Sequence, residues 1–468
     1  MLVAGVDSST QSCKVLIREL ETGKIVRSGS AKHPDGTEVN PEFWWQALQQ
    51  AIEAAGGIAD VSAISVAGQQ HGMVALDSEG NVIRDALLWN DTRSAGAAAD
   101  LIAEFGADGL AKRTGCVPVA SFTITKLRWL RDNEPENAAK VAAVALPHDW
   151  LTWRLMGYGP NGSSKLGADF EALATDRSEA AGTGYFNPQT NEYDRELLIA
   201  ALGHDAKLPR VLGPAESVGK TEAAVLVAPG GGDNAMAALG LGAEAGDAVI
   251  SIGTSGTVFS VSEVAVRDTS GTIAGFADAS GNFLPITVTL NAARLLASSA
   301  ELLNVGFDEL ASLALSANPG SDGLVTVPFF EGERTPNLPD AKGSLHGATL
   351  TSFTRPNLAR SVIEGMLCGL QYGLGALVEQ GVPVERILLI GGGAQNQAVQ
   401  KIAATIFDGR IEVPAISEYV AEGATVQAAW CLTGERPTWS PESTATLQGT
   451  ANQQIIDAYQ AAVKANFA

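Results

Sequence analysis

The sequence predicts an α/β protein of two duplicated lobes facing a central cleft, and three features of the chain predict it. Residues 3–7 form an apolar strand ending at Asp7, followed by the turn Ser8-Ser9-Thr10-Gln11-Ser12 and a second strand over 14–20. The same order returns after the midpoint, where a strand over 247–252 leads into Gly253-Thr254-Ser255-Gly256 and a strand resumes over 257–262. Between the copies, an apolar run from residue 225 meets Pro229-Gly230-Gly231-Gly232-Asp233-Asn234 and passes into a small-residue helix over 235–242. Lobes that each contribute a phosphate-sized turn place a nucleotide in the cleft between them.

Each element has a local cause. The runs over 14–20 and 25–30 flank Glu21-Thr22-Gly23-Lys24, a polar turn that joins them as a hairpin. Asn40, Pro41 and Glu42 supply an N-cap, a proline at the first helical position and an acidic first turn, so a helix runs over 43–55 until Gly56-Gly57 stops it. A strand over 61–66 follows. Within 121–133, Ile124, Leu127 and Leu130 recur at helical spacing and face a core, a role also expected of Phe43, Trp44 and Trp45. A strand over 386–390 delivers Gly391-Gly392-Gly393-Ala394 before a helix over 396–407, an order suited to nucleotide contact because a helix start presents backbone N–H groups.

The 468 residues leave room for two or three domains with substantial cores. Fifty-two acidic against 31 basic side chains give a formal charge of −21, which repels polyphosphate at long range and excludes nucleic acid as the expected partner. Apolar residues at 46% and charged ones at 18% are those of a soluble globular protein, and 51 glycines give the backbone turns that approach a ligand closely. Cys13, Cys116, Cys368 and Cys431 form no CxxC pair, so they suit neither a zinc site nor a disulfide framework and read as buried thiols of a reducing cytosol. No basic leader precedes Asp7 and no run approaches the ~18 uncharged apolar residues of a membrane span. The expected location is cytoplasmic, with no membrane partner.

Four segments hold side chains that could carry chemistry. Asp7 stands beside the hydroxyl and N–H donors of Ser8 to Ser12, a setting for Mg²⁺ and phosphate, with a capped β-turn as the alternative. Asp233, after three glycines and with no basic residue near it in sequence, can act as a general base or as the N-cap of the helix it precedes. Gln70 and His71 leave the 61–66 strand within Gly68-Gln69-Gln70-His71-Gly72, and Leu88-Trp89-Asn90-Asp91-Thr92-Arg93 adds an aromatic ring, an amide, a carboxylate and a guanidinium. That mixture grips a polyol, while a satisfied structural network is the alternative reading of either segment.

Taken in order, these segments resemble the FGGY family of carbohydrate kinases from Gly5 to about Gln427. The likeness is carried by the Asp-led loop from Asp7 to Lys14, by Lys126-x-x-Trp129, by Gly231-Gly232-Asp233-Asn234, by the turn Gly253 to Gly256 and by Gly391 to Ala394. Gln70-His71-Gly72 before Leu88-Trp89-Asn90-Asp91, and Gly332-Glu333-Arg334-Thr335-Pro336 before a helix over 357–378, resemble the branch that phosphorylates D-xylulose. The resemblance implies the ribonuclease-H-like fold of actin, hexokinase and Hsp70, with an N-terminal FGGY domain over 1–235 and a C-terminal one over 236–468. The last helix, about 453–467, is expected to pack back on the N-terminal lobe.

It further implies transfer of a phosphoryl group from MgATP to a small sugar, with Asp233 as base and Asp7 and Asp233 near the metal. Gln70, His71, Trp89, Asn90, Asp233 and Asn234 are the implied sugar contacts. Thr10, Gln11, Ser12, Lys14, Gly253, Thr254, Gly392, Gly393 and Asn396 are the implied nucleotide contacts, Lys14 neutralising phosphate charge unless it is a solvated strand lysine. A second acceptor class (glycerol, gluconate or another ketose) and a nucleotide-switched interaction protein of the actin kind stay open, as does a homodimer. One departure from the family pattern stands out: Ser9 replaces the usual glycine before Thr10, where a Cβ narrows the approach to phosphate.

Overall fold

Each strand-turn-strand copy builds its own sheet in the computed structural model, which describes residues 1–467. In the first, Leu2–Ser8 pairs antiparallel with Ser12–Glu19, which pairs antiparallel with Ile25–Lys32. On its other side Leu2–Ser8 runs parallel to Val61–Gly68, and Leu226–Val227 extends the sheet parallel to that strand. In the second, Asp247–Ile252 pairs antiparallel with Gly256–Ser260, which pairs antiparallel with Phe283–Thr289. Asp247–Ile252 also runs parallel to Arg386–Ile390, which is followed in parallel by Gly409–Pro414. The two orders match strand for strand, so the duplication expected from the turns extends through the whole sheet.

In space the chain divides into two units that a single cut between residues 235 and 236 does not reproduce. One holds Met1–Ala243 with Ala265–Leu284 and Glu418–Ser440; the other holds Glu244–Val264, Pro285–Ser417 and the chain from Pro441. The returns have a packing cause. Along Leu2–Ser8 alternate side chains point to opposite faces: Ala4 and Val6 pack with Trp44, Ala47, Leu48 and Ala51 of the Pro41–Ala54 helix, while Val3 and Ala63 pack with Ala428 and Ala429 of the Tyr419–Thr433 helix. A sheet covered on both faces has apolar side chains at every position, hence the unbroken apolar run at the start of the sequence.

Asn40 caps the first helix as expected, its Oδ1 accepting the Glu42 N–H at 3.0 Å. Trp44 is buried on the stripe shared with Ala47, Leu48 and Ala51, whereas Phe43 lies off that stripe and is 49% exposed, not core. The Tyr419–Thr433 helix crosses the Asp233–Gly240 helix at two glycines. A Cβ on Gly423 would stand 1.8 Å from Met236 O, and one on Gly240 2.1 Å from Tyr419 O, so the backbones touch and fix the helix that begins with Asp233.

In the second unit, Arg355–Glu379, the helix expected over 357–378, is long and apolar enough by length and composition to cross a membrane, though Arg360 and Glu364 interrupt its apolar run. Most of it is buried inside the unit, and it carries the buried Arg360–Glu364 ion pair at 2.7 Å. It is a core helix. The Gln453–Phe467 helix belongs to this unit and not to the first: Ile455, Ile456, Tyr459 and Ala462 turn inward, and it packs on the Val325–Val327 strand and on Arg355–Glu379. Glu333 of the Gly332 to Pro336 segment is a scaffold residue here, accepting the Leu290 N–H at 2.6 Å and the Asn291 amide at 3.0 Å. All four cysteines are free thiols, three of them buried and Cys431 partly so.

Candidate active site

Asp7 closes the Leu2–Ser8 strand, is 5% exposed, and has Oδ1 buried without a hydrogen-bond partner. Burial first, and then the negative charge of Asp233, push its carboxyl up to about 7, with Lys14 opposing. Asp233 is the first residue of its helix and not the cap, a position Gly232 occupies without a side-chain bond. Its Oδ1 accepts the N–H and the side-chain amide of Asn234 at 2.8 and 2.9 Å. Asn234 therefore orients the base candidate. Burial pushes Asp233 up to about 6, the Asn234 bonds opposing. The charge of Asp233 thus reaches Asp7. Among the described residues no group of three or more His, Cys, Asp and Glu side chains could hold a metal. A pair with an orphaned oxygen nevertheless suits Mg²⁺, which takes one or two carboxylates and fills its other positions with water and phosphate oxygens.

The turn after Asp7 is closed on itself. The N–H and Oγ of Ser9 both donate to Ser12 O at 3.1 Å, so the side chain that replaces glycine here locks the turn through its hydroxyl. His33 fastens the turn from outside, its N–H donating to Gln11 O at 2.9 Å and its Nδ1 to Ser9 O at 2.8 Å. Thr10 Oγ1 accepts the Trp89 indole N–H at 2.9 Å, and Trp89 is 44% exposed. The ring thus braces the phosphate turn, a different contact from the sugar contact expected of it. Lys14 is not available as an unpaired cation either, because Nζ reaches Glu418 Oε2 at 2.5 Å. Gln11 is exposed and Ser12 half-buried in the same turn.

Gln70 and His71 follow the Val61–Gly68 strand. His71 has φ of 71°, a left-handed conformation that costs a side-chain-bearing residue of order 1–3 kcal/mol and persists only where the surroundings enforce it. They do so here. Its carbonyl accepts Thr123 Oγ1 and Lys126 Nζ, both at 3.1 Å, its ring leans on Phe122 and Phe276 at 4.8 and 5.7 Å, and Nδ1 lies 2.6 Å from Gly182 O. A carbonyl only accepts, so Nδ1 carries the proton and Nε2 is the acceptor nitrogen, the tautomer that takes a hydroxyl hydrogen. Gln70 Nε2 donates to Ser178 O at 3.2 Å, which leaves Oε1 as its acceptor end. Asn90 Oδ1 is buried without a partner. Asp91 is not an alternative base: burial raises its carboxyl, but bonds from Arg93 and Thr37 outweigh burial and hold it below the usual carboxylate range.

Two supports escaped the sequence reading. Lys126 is fully buried in the Thr123–Asn133 helix, beside the Ile124, Leu127 and Leu130 whose burial was expected. It donates to the carbonyls of Ser121 and His71, and burial pushes its ammonium down to about 7, the Asp91 charge opposing. Its signal was available, since helical spacing sets a lysine on the apolar stripe itself. The other support is the Arg177–Ala181 helix, where Glu179 is fully buried with both carboxyl oxygens unpartnered. Burial, then the charges of Asp149, Asp176 and Asp233, hold its carboxyl well above the usual range. In sequence, Asp176-x-x-Glu179 reads only as a helix start. The hinge glycine next to it is sterically required: a Cβ on Gly232 would stand 2.7 Å from Gln70 Nε2 and 2.9 Å from Glu179 Oε2.

The second unit carries the other predicted residues. Gly253 and Thr254 lie in the turn between Asp247–Ile252 and Gly256–Ser260, Thr254 is exposed, and the Ala293 N–H anchors Gly253 O at 2.8 Å. Gly392 is exposed, and a Cβ there would meet nothing within 4 Å, so the protein's own packing does not call for a glycine. Gly393 is buried against Ile252 and serves packing. Asn396 is the N-cap of Gln397–Ala403, its Oδ1 accepting the Ala398 and Val399 N–H groups at 2.9 and 3.3 Å. The ribose bond expected of Asn396 would fall to its amide nitrogen, since Oδ1 serves the cap.

A duplicated α/β frame of this topology, with a buried aspartate near the end of its first strand, points to the class of enzymes that phosphorylate small polyols. Models of the FGGY family of carbohydrate kinases match its N-terminal domain to residues 2–240 and its C-terminal domain to residues 248–432, and the chain belongs to that family. It is 42% identical to the xylulose kinase of Streptomyces coelicolor over 98% of this chain and 93% of the relative. It is 44% identical to that of Streptomyces rubiginosus over 93% and 89%. The crystal structure of xylulose kinase from Bifidobacterium adolescentis superposes with a TM-score of 0.93 at 47% identity, covering 99% of each chain. The fold is accordingly the two-domain, ribonuclease-H-like one of actin and hexokinase.

Proposed function

We propose that this carbohydrate kinase transfers the γ-phosphoryl group of ATP to the terminal hydroxyl of D-xylulose, giving D-xylulose 5-phosphate. The observation that carries the reading is the buried Asp7, whose carboxyl feels the charge of Asp233, together with Gly232, one residue before Asp233, where a Cβ would stand 2.7 Å from Gln70 Nε2. Asp233 takes the hydroxyl proton as the phosphoryl group arrives. Asp7, with its unpartnered buried oxygen, and Asp233 hold Mg²⁺, which when bound neutralises charge on the phosphate oxygens. His71 Nε2, Gln70 Oε1 and Asn90 Oδ1 accept sugar hydroxyls; Thr10 and the Ser9–Ser12 turn meet the phosphates of the nucleotide. The sparse cysteines, with no CxxC pair among them, support a cytoplasmic location, where ATP is supplied.

The relatives named xylulose kinase favour this acceptor over glycerol or gluconate, and a panel of acceptors scored by ADP release tests it. D-xylulose should give the highest kcat/KM, ahead of D-ribulose and glycerol, because each buried hydroxyl partner left unpaired costs ~1–3 kcal/mol, about tenfold to hundredfold per contact. Equal turnover of glycerol would reject xylulose as the acceptor. His71→Ala should raise the KM for sugar within the same range and leave the KM for ATP unchanged. A normal sugar KM with a lowered melting temperature would reduce His71 to scaffold.

A further inference from the structure

We infer that Ser178 is a positioning residue that couples the acceptor-reading loop to the turn carrying the base. The inference rests on the reading of Gln70 and His71 as sugar contacts and of Asp233 as base. Ser178 is fully buried and serves both sides at once: its carbonyl accepts Gln70 Nε2–H at 3.2 Å, and its Oγ accepts the Gly232 N–H at 3.0 Å, one residue before Asp233. Four residues on, Gly182 O accepts His71 Nδ1–H at 2.6 Å. The bracket is itself held. Asp176 accepts the N–H groups of Ser178 and Glu179 at 3.0 and 2.9 Å, and the Arg177 guanidinium reaches Pro188 O at 2.9 Å and Asn282 O at 3.1 Å.

Ser178 touches neither substrate nor metal. It ties Gln70 to the turn carrying the base, while Gly182 of the same segment holds His71, so a sugar seated on Gln70 and His71 presents its reacting hydroxyl at a fixed offset from Asp233. Reaction rate is steep in that offset, a misplacement of ~1 Å costing on the order of 100-fold.

Ser178→Ala keeps the carbonyl that holds Gln70 and removes the acceptor for Gly232 together with the hydroxyl's bond to Asp176. It should lower kcat by about 10- to 100-fold with the sugar KM little changed, and Ser178→Thr, which keeps a hydroxyl, should recover most of the loss. Combined with Asp233→Asn, Ser178→Ala should add no further loss, because it acts through that carboxylate. Should the alanine variant fail to fold, Ser178→Cys, with the same shape and a far weaker acceptor, should show the same kcat-specific loss in smaller measure. A wild-type kcat in Ser178→Ala, or in Ser178→Cys where that is the variant that folds, overturns the inference. So does a loss that multiplies onto that of Asp233→Asn. Failure of the underlying reading is separately visible: Asp233→Asn alone would keep its kcat, or Gln70→Ala alone its sugar KM, and either result removes the sites that Ser178 is said to join.

Discussion

Asp233→Asn should lower kcat on D-xylulose by about 10²–10⁴-fold, the usual worth of general-base assistance, without unfolding the protein. The amide has the shape of the carboxylate and its oxygen can still accept the Asn234 N–H at the 2.8 Å contact, so the helix start survives. Since Gly232 occupies the cap position, no cap is lost and the stability cost of a cap mutant is not expected. What disappears is the group that takes the hydroxyl proton. With Asp233 pushed up to about 6, the base is protonated below that pH and free above it, so wild-type kcat should rise as pH increases through about 6. The Asn variant should show no such limb. Single-turnover and steady-state kinetics with a melting curve decide the matter: a near-normal kcat would move the base to Asp7, because the bonds from Arg93 and Thr37 hold the Asp91 carboxyl below the usual range and weaken it as a base.

The parts of this site legible in the sequence are those whose residue type alone excludes other uses. A strand that ends in Asp7, three glycines before Asp233 and a repeated strand-turn-strand each leave a local signature, and the duplicated sheets follow from them. Long-range packing leaves none. The return of residues 418–440 to the first unit is written in two glycines, Gly423 and Gly240, that mean nothing until their helices cross. Phe43 and Trp45 cannot be told from Trp44 by hydrophobicity, because only the stripe of the folded helix separates them. Glu179 is the hardest case: a glutamate is expected at a surface, and its burial among Asp149, Asp176 and Asp233 is set by elements far apart in the chain. Lys14, Trp89 and Asn396 suit phosphate, sugar or ribose by their chemistry, and the protein partner that each also has lies too far along the chain, or depends too much on the folded turn, to be read from the sequence.

Asp7→Asn should stabilise the metal-free protein at pH 8 while abolishing the stabilisation that Mg²⁺ with ATP gives the wild type. An ordinary aspartate loses its proton near pH ~4 in the unfolded chain, whereas burial and Asp233 hold Asp7 protonated in the fold up to about 7. Between those values the folded state binds the extra proton, so stability falls as pH rises across that window and is lowest above it. Roughly three orders of magnitude in proton affinity correspond to a loss of up to ~4 kcal/mol. An asparagine does not ionise and escapes that loss, so its melting advantage should be small at pH 4, grow through pH 5 to 7, and reach several degrees at pH 8. In the wild type a bound cation supplies the compensation: the metal favours the ionised pair, and ligand that binds only the folded state raises its melting temperature. The carboxylate that weakens the empty fold is thus the one that gives the loaded site its metal. If Asp7→Asn melted at or below the wild type at pH 8 without metal, the side chain would be worth more to the fold than its buried charge costs, and the Oδ1 left without a partner would have to be satisfied by the protein.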